Sequence, residues 1–175
     1  VSLSAQTTDR QVNAVTPALF ARFPDFQSLA RARTGEVEAL IQSTGFFRNK
    51  SRNIISMAQA VVERHGGNLP ATREELMGLA GIGRKTANVI LSVGFGVPAF
   101  AVDTHILRIA KRIGYSDSSD PLEIEKAVTS TLPPRLWTSA HLLFIWHGRR
   151  TCAARSPRCE ECPVSGLCDF AGGAP

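Results

Sequence analysis

The sequence predicts an all-α fold in two lobes, and three observations predict it. Apolar residues recur at helical spacing, helix-start signatures stand at two places, and no segment alternates with period two for long enough to form a strand. In chain order, Val1, Leu3 and Ala5 read as part of an apolar helix, and the chain opens without Met. Together they predict a fragment whose first helix is missing. Ile54, Ile55, Ala58, Val61 and Val62 form one apolar helix face, which Gly66-Gly67 stops. Thr72-Arg-Glu-Glu75 is a capping box opening a helix to about Leu79. Asp120-Pro-Leu-Glu123 is a second start signature, with Pro121 at the first helical position. Leu136 to His147 is a strongly apolar helix expected to end near Gly148. Gly94, Gly96 and Pro98 interrupt the helices and place the lobe boundary between residues 94 and 99. Beyond the last cysteine the tail is expected to fray through Gly172, Gly173, Ala174 and Pro175.

With 175 residues, 43% of them hydrophobic, the chain can bury a sizeable core. Its formal net charge is +5, and the distribution of that charge says more than its sum. Between Leu79 and Tyr115 stand Arg84, Lys85, Arg108, Lys111 and Arg112, against one acid, Asp103. Between His141 and Arg158 stand Arg149, Arg150, Arg155 and Arg158, with no acid. Basic charge segregated in this way suits a groove that tracks a phosphate backbone. No apolar run approaches the roughly 18 residues of a membrane-spanning helix, and no signal peptide is visible. A membrane role is therefore not expected. Reduced cysteines then fit a cytoplasmic protein, and a monomer is expected.

All four cysteines, Cys152, Cys159, Cys162 and Cys168, lie near the C-terminus with spacing C-x6-C-x2-C-x5-C. Four thiolates this close suit a tetrahedral metal or an iron–sulfur cluster, and the spacing does not separate zinc from iron. Disulfides are the third reading, disfavoured because so short a loop does not easily close two at once. A metal centre here would clamp the tail, so the chemistry is sought elsewhere.

Leu79-Ala-Gly-Ile-Gly-Arg-Lys-Thr-Ala-Asn-Val-Ile90 follows directly on the Thr72 helix. A helix, a turn of Ala80-Gly81-Ile82-Gly83 and a second helix make a helix–hairpin–helix. Gly81 and Gly83 permit backbone conformations closed to other residues and let main-chain N–H groups approach a phosphate. Such a hairpin grips the sugar–phosphate backbone without reading sequence. Ile82 is expected to plug the turn into the core. Lys85, in the first turn of the second helix, reads either as a phosphate contact or as a nucleophile. The helix N-terminus and the adjacent Arg84 both disfavour its ammonium form, and a neutral amine can form a Schiff base. Asp103 falls where a helix begins, a place for an N-cap. Apolar residues precede it and cationic residues follow it, so it is also a candidate to deprotonate a nucleophile or steady a cationic sugar.

These segments, with Leu3-Ser-Ala-Gln-Thr-Thr-Asp9, Val102-Asp-Thr-His105 and His147-Gly-Arg149, stand in the order found in the endonuclease III family of DNA glycosylases, which the sequence resembles over almost all of its length. The resemblance implies a helix–hairpin–helix glycosylase fold, with a six-helix barrel lobe over residues 1–97 and a lobe over residues 98–175 holding one 4Fe-4S cluster on the four cysteines. It implies a nucleoid-associated base excision repair enzyme that removes oxidised pyrimidines and cuts the strand by β-elimination. Its partner would be double-stranded DNA containing a damaged base or an abasic site. Lys85 falls on the family's catalytic lysine and Asp103 on its catalytic aspartate. The lysine separates this chain from relatives that remove a base without cutting the strand. Gln6 and Phe46 fall on residues that fill the space left by an extruded nucleotide, Phe46 being bulkier than the family's usual aliphatic residue. Gly81, Gly83, Arg84, His105, Lys111, Arg112, Arg155 and Arg158 are the further DNA-binding candidates.

Overall fold

The computed structural model describes residues 1–172; the expectation of a frayed tail at residues 173–175 lies outside them. Among the described residues all regular secondary structure is helical. The chain divides into two compact units, Val1–Ile90 and Leu91–Pro175.

The first unit carries α1 (Asp9–Arg22), α2 (Phe26–Ala30), α3 (Thr34–Ile41), α4 (Phe47–His65), α5 (Arg73–Met77) and α6 (Arg84–Val89). The apolar start predicted at Val1 is only a 3₁₀ turn, Ser2–Ser4. Thr8 explains the break: its side chain accepts the Gln11 N–H and caps a new helix, so α1 begins at Asp9. Leu3, Val15, Leu19, Phe23, Val37, Ile41, Ile54 and Ile55 pack into one core, so α1, α3 and α4 share a single apolar centre. Each large side chain buried there contributes about 1.5–3 kcal/mol. Of the α4 face read from the sequence, Ile54 and Ile55 lie in that core, Ala58 and Val61 are fully buried, and Val62 is half-buried. Gly66 ends α4 in the left-handed conformation, as the Gly-Gly stop requires. Thr72 caps α5, its hydroxyl accepting from the Glu75 N–H and donating to the Glu75 carboxylate. α5 stops at Met77, before the predicted Leu79, because the Gly78 N–H folds back onto the carbonyls of Glu74, Glu75 and Leu76.

The second unit carries α7 (Thr104–Arg112), α8 (Pro121–Thr131) and α9 (Trp137–Arg150). Asp120 caps α8 by accepting the Leu122 N–H, with Pro121 at the start. Phe100, Val102, Ile106, Ala110, Ile124 and Val128 form the core, against which Trp137 and Phe144 of α9 pack. Buried His141 hydrogen-bonds the Ala101 carbonyl at 2.8 Å through Nδ1 and fixes the chain entering α7.

Gly148 does not end α9, which continues to Arg150. A Cβ there would lie 2.9 Å from Ile109 Cδ1 and 3.0 Å from His105 Cβ. Glycine is needed for α7 and α9 to approach, not to break the helix. Gly148→Val is expected to destabilise the fold by about 1–3 kcal/mol through overpacking. Urea unfolding with a lowered midpoint and an unchanged slope checks it.

Candidate nucleic-acid interface

The hairpin forms between α5 and α6, with the turn over Gly78 to Gly83. Buried Ile82 plugs it from below, its N–H bonded to the Leu79 carbonyl. Arg73 Nε donates to Asn88 Oδ1 at 2.8 Å and ties α5 to α6. The two glycines differ in their reasons. Gly81 sits at φ +76°, and a Cβ there would meet Asn53 of α4 at 3.0–3.3 Å. Gly83 has ordinary extended backbone, φ −91° and ψ 176°, so no conformational need explains it. A Cβ on Gly83 would meet nothing within 4 Å, which leaves the turn open to an approaching group. Arg84 and Lys85 open α6, whose helical path continues as a π-helical turn over Ile90–Gly94. Lys85 is exposed.

Gln6 and Phe46 come together with the hairpin around one cavity of about 280 Å³, lined also by Asn49, Lys50, Asn53 and Gly81. Both adopt left-handed backbone, φ 51° at Gln6 and 57° at Phe46. That conformation costs a non-glycine residue about 1–3 kcal/mol and persists only where its surroundings impose it. Phe46 is 65% exposed at the head of α4, while its neighbour Phe47 packs against the core. The Phe-Phe pair is thus divided between surface and interior. Sequence reasoning missed Lys50: it is 6% exposed and its Nζ donates to Thr7 Oγ1 at 2.5 Å. Burial pushes its ammonium below the ordinary lysine range.

In the second unit Asp103 caps α7, its Oδ1 accepting the Ile106 N–H at 2.9 Å. The cap uses one carboxylate oxygen and leaves the other out of it. His105, in the first turn of α7, is half-buried, with Nδ1 3.2 Å from the Arg108 guanidinium. Arg108 also donates to the carbonyls of Gly148 and Cys152. Lys111 is exposed. The Arg112 guanidinium reaches into the cysteine loop, donating to Cys152 Sγ at 3.2 Å and to the carbonyls of Ala153 and Ala154. It also lies over the Phe170 ring. Arg158 bonds the Arg150 carbonyl and pairs with Glu161 at 3.2 Å. Arg155 is exposed at the outside of the same loop.

The four cysteines are not joined in disulfides. All four line one apolar cavity with Ile113, His147, Pro157 and Val164. The Cys168 thiol donates to the Arg112 carbonyl at 3.2 Å, and His147 Nε2 lies 3.8 Å from Cys162 Sγ. Burial holds His147 below the ordinary histidine range.

A family model described as the HhH-GPD superfamily base excision DNA repair protein matches residues 1–134, and one for the iron-sulfur binding domain of endonuclease III matches residues 152–168. Endonuclease III of Synechocystis sp. is 47% identical over 97% of this chain and 78% of its own length. The chain belongs to the endonuclease III family. Endonuclease III of Bacillus subtilis is 45% identical over 96% of this chain and 77% of its own. A solved endonuclease III–DNA covalent intermediate, trapped as an estranged-adenine complex, matches with TM-score 0.92 and 43% identity over 98% of this chain and 81% of that one. A thermostable thymine-DNA glycosylase matches with TM-score 0.91 at 21% identity, a likeness of fold alone.

The donor set of this endonuclease III family member suits its cluster. All four cysteines line one apolar cavity, a donor set of soft sulfurs that suits an iron–sulfur cluster. The cofactor is one 4Fe-4S cluster, and Cys152, Cys159, Cys162 and Cys168 would hold it. Bound, it supplies a covalent cross-link across residues 152–168. Cys159→Ser is expected to lose iron and the visible absorption of the cluster and to raise protease sensitivity in that loop. A colourless wild-type protein carrying zinc contradicts this account.

Proposed function

We infer that this chain excises oxidised pyrimidines from duplex DNA and then cuts the strand at the abasic site, as a monomeric DNA glycosylase with AP-lyase activity. The observation that carries the reading is the convergence of Gln6, Phe46 and the hairpin turn on one cavity, with Lys85 two residues beyond Gly83. A base inside the duplex hides its glycosidic bond, so the damaged nucleotide is turned out of the stack. Exposed Phe46 enters the stack as a wedge, and Gln6 fills the space left behind. The main-chain N–H groups of the hairpin, with Arg84, Lys111 and Arg155, hold phosphates on the damaged strand. His105 is a further DNA contact in this reading. Arg112 and Arg158 act through the cysteine loop: Arg112 binds its backbone, and Arg158 ties it to the Arg150 carbonyl at the end of α9.

The chemistry falls to two side chains. Lys85 Nζ, once deprotonated, attacks C1′ of the deoxyribose; the new C–N bond forms as the glycosidic bond breaks and the base departs with that electron pair. Asp103 takes the proton from the ammonium or stabilises positive charge on the sugar. The sugar ring opens to a Schiff base, which acidifies the C2′ proton. Loss of that proton expels the 3′ phosphate, and water then releases the lysine. The cluster enters none of these steps.

Base excision and strand cleavage measured on duplexes carrying single defined lesions test the reading. It predicts product from thymine glycol and none from undamaged duplex. Binding to every duplex without turnover on any would make the chain a DNA-binding module instead.

A further inference from the structure

We propose that Lys50 is a positioning residue that couples Gln6 to Phe46, so that the gap-filling side chain and the wedge enter DNA as one unit. The inference rests on the reading of those two residues as gap-filler and wedge. Among the described residues only Gln6, Phe46 and Ser156 are non-glycine residues with left-handed backbone, and the first two line the same cavity. They are far apart in sequence, so something must hold both in an unfavoured conformation at one place. Lys50 touches both segments. Its main-chain N–H donates to the Phe46 carbonyl at 3.0 Å. Its Nζ donates at 2.5 Å to the hydroxyl of Thr7, the residue after Gln6. The Thr7 hydroxyl in turn lies 3.3 Å from the Ala5 carbonyl, on the other side of Gln6. The backbones are also in close approach, since a Cβ on Gly45 would lie 3.2 Å from the Gln6 carbonyl oxygen. A lysine on a long helix ordinarily extends into water. This one is buried, and the structure spends its ammonium on a single hydroxyl in the loop that carries Gln6.

Two substitutions remove the same bond from opposite ends. Lys50→Met keeps the apolar stem, and Thr7→Val keeps the shape of the side chain. The readout is the single-turnover rate of thymine glycol excision from duplex, divided by the rate of β-elimination at an abasic site in single-stranded DNA, where there is no stack to wedge open. Each variant is expected to lower this ratio on the order of tenfold to a hundredfold. The double variant should fall no further than either single one, and Thr7→Ser, which restores the hydroxyl, should return the ratio toward wild type. An unchanged ratio in both single variants overturns the proposal, as does an equal loss on both substrates. Gln6→Ala and Phe46→Ala, run alongside, separate the two levels. If they leave duplex excision intact, the gap-filling reading itself fails. If they impair it while Lys50→Met and Thr7→Val do not, only the coupling fails.

Discussion

Asp103→Asn is expected to lower the single-turnover rate of base excision by roughly 10²–10⁴-fold while leaving the fold intact. The choice of asparagine matters because Asp103 has a structural duty as the N-cap of α7. Asparagine caps as well as aspartate, and its amide oxygen can still accept the Ile106 N–H. Only the negative charge and the proton-accepting oxygen are removed. Denaturant unfolding should therefore stay within about 0.5 kcal/mol of wild type, and binding to a duplex with an abasic-site analogue should persist. Asp103→Ala removes charge and cap together and should add a stability loss of about 1 kcal/mol. Comparison of the two variants separates the chemical duty from the structural one. Full excision activity in Asp103→Asn would remove the carboxylate from the mechanism.

Lys85→Ala is expected to abolish strand cleavage and the covalent adduct that borohydride captures. Lys85 is exposed on α6, and alanine is the best helix former, so the substitution carries little risk to folding. Lys85→Arg should fail as completely, because a guanidinium does not give up its proton in a protein and cannot form the Schiff base. The comparison distinguishes a nucleophile from a phosphate contact, since an arginine would preserve the latter. The structure supplies a competitor in Lys50, a buried amine at the cavity shared by Gln6 and Phe46. Persistent trapping in Lys85→Ala would move the nucleophile there.

The elements whose ends are written in local chemistry were legible in the sequence. Thr72, Asp103 and Asp120 each start a helix because a short polar side chain followed by free N–H groups allows little else. The α4 face was legible because its apolar residues repeat at helical spacing. Gly148 was misread because glycine carries two meanings, helix stop and close approach. Only the position of His105 and Ile109 across the interface decides between them. Gln6 and Phe46 were placed by resemblance, but their left-handed backbone was not foreseeable, since neither is glycine and the segments that carry them meet only in the folded chain, through Lys50 and Thr7. Arg112 read as a phosphate ligand from its charge. That it reaches the carbonyls of Ala153 and Ala154 depends on a tertiary contact that composition does not encode. Lys50 was passed over for the same reason: on an amphipathic helix it looks like a solvated charge, and a distant loop closes over it.

The most direct test of the central claim is to treat the enzyme with thymine glycol duplex and borohydride, digest the adduct with protease, and locate the modified lysine by mass spectrometry. The account predicts a deoxyribose remnant on Lys85 alone. A remnant on Lys50, or product formed without any trapped adduct, contradicts it.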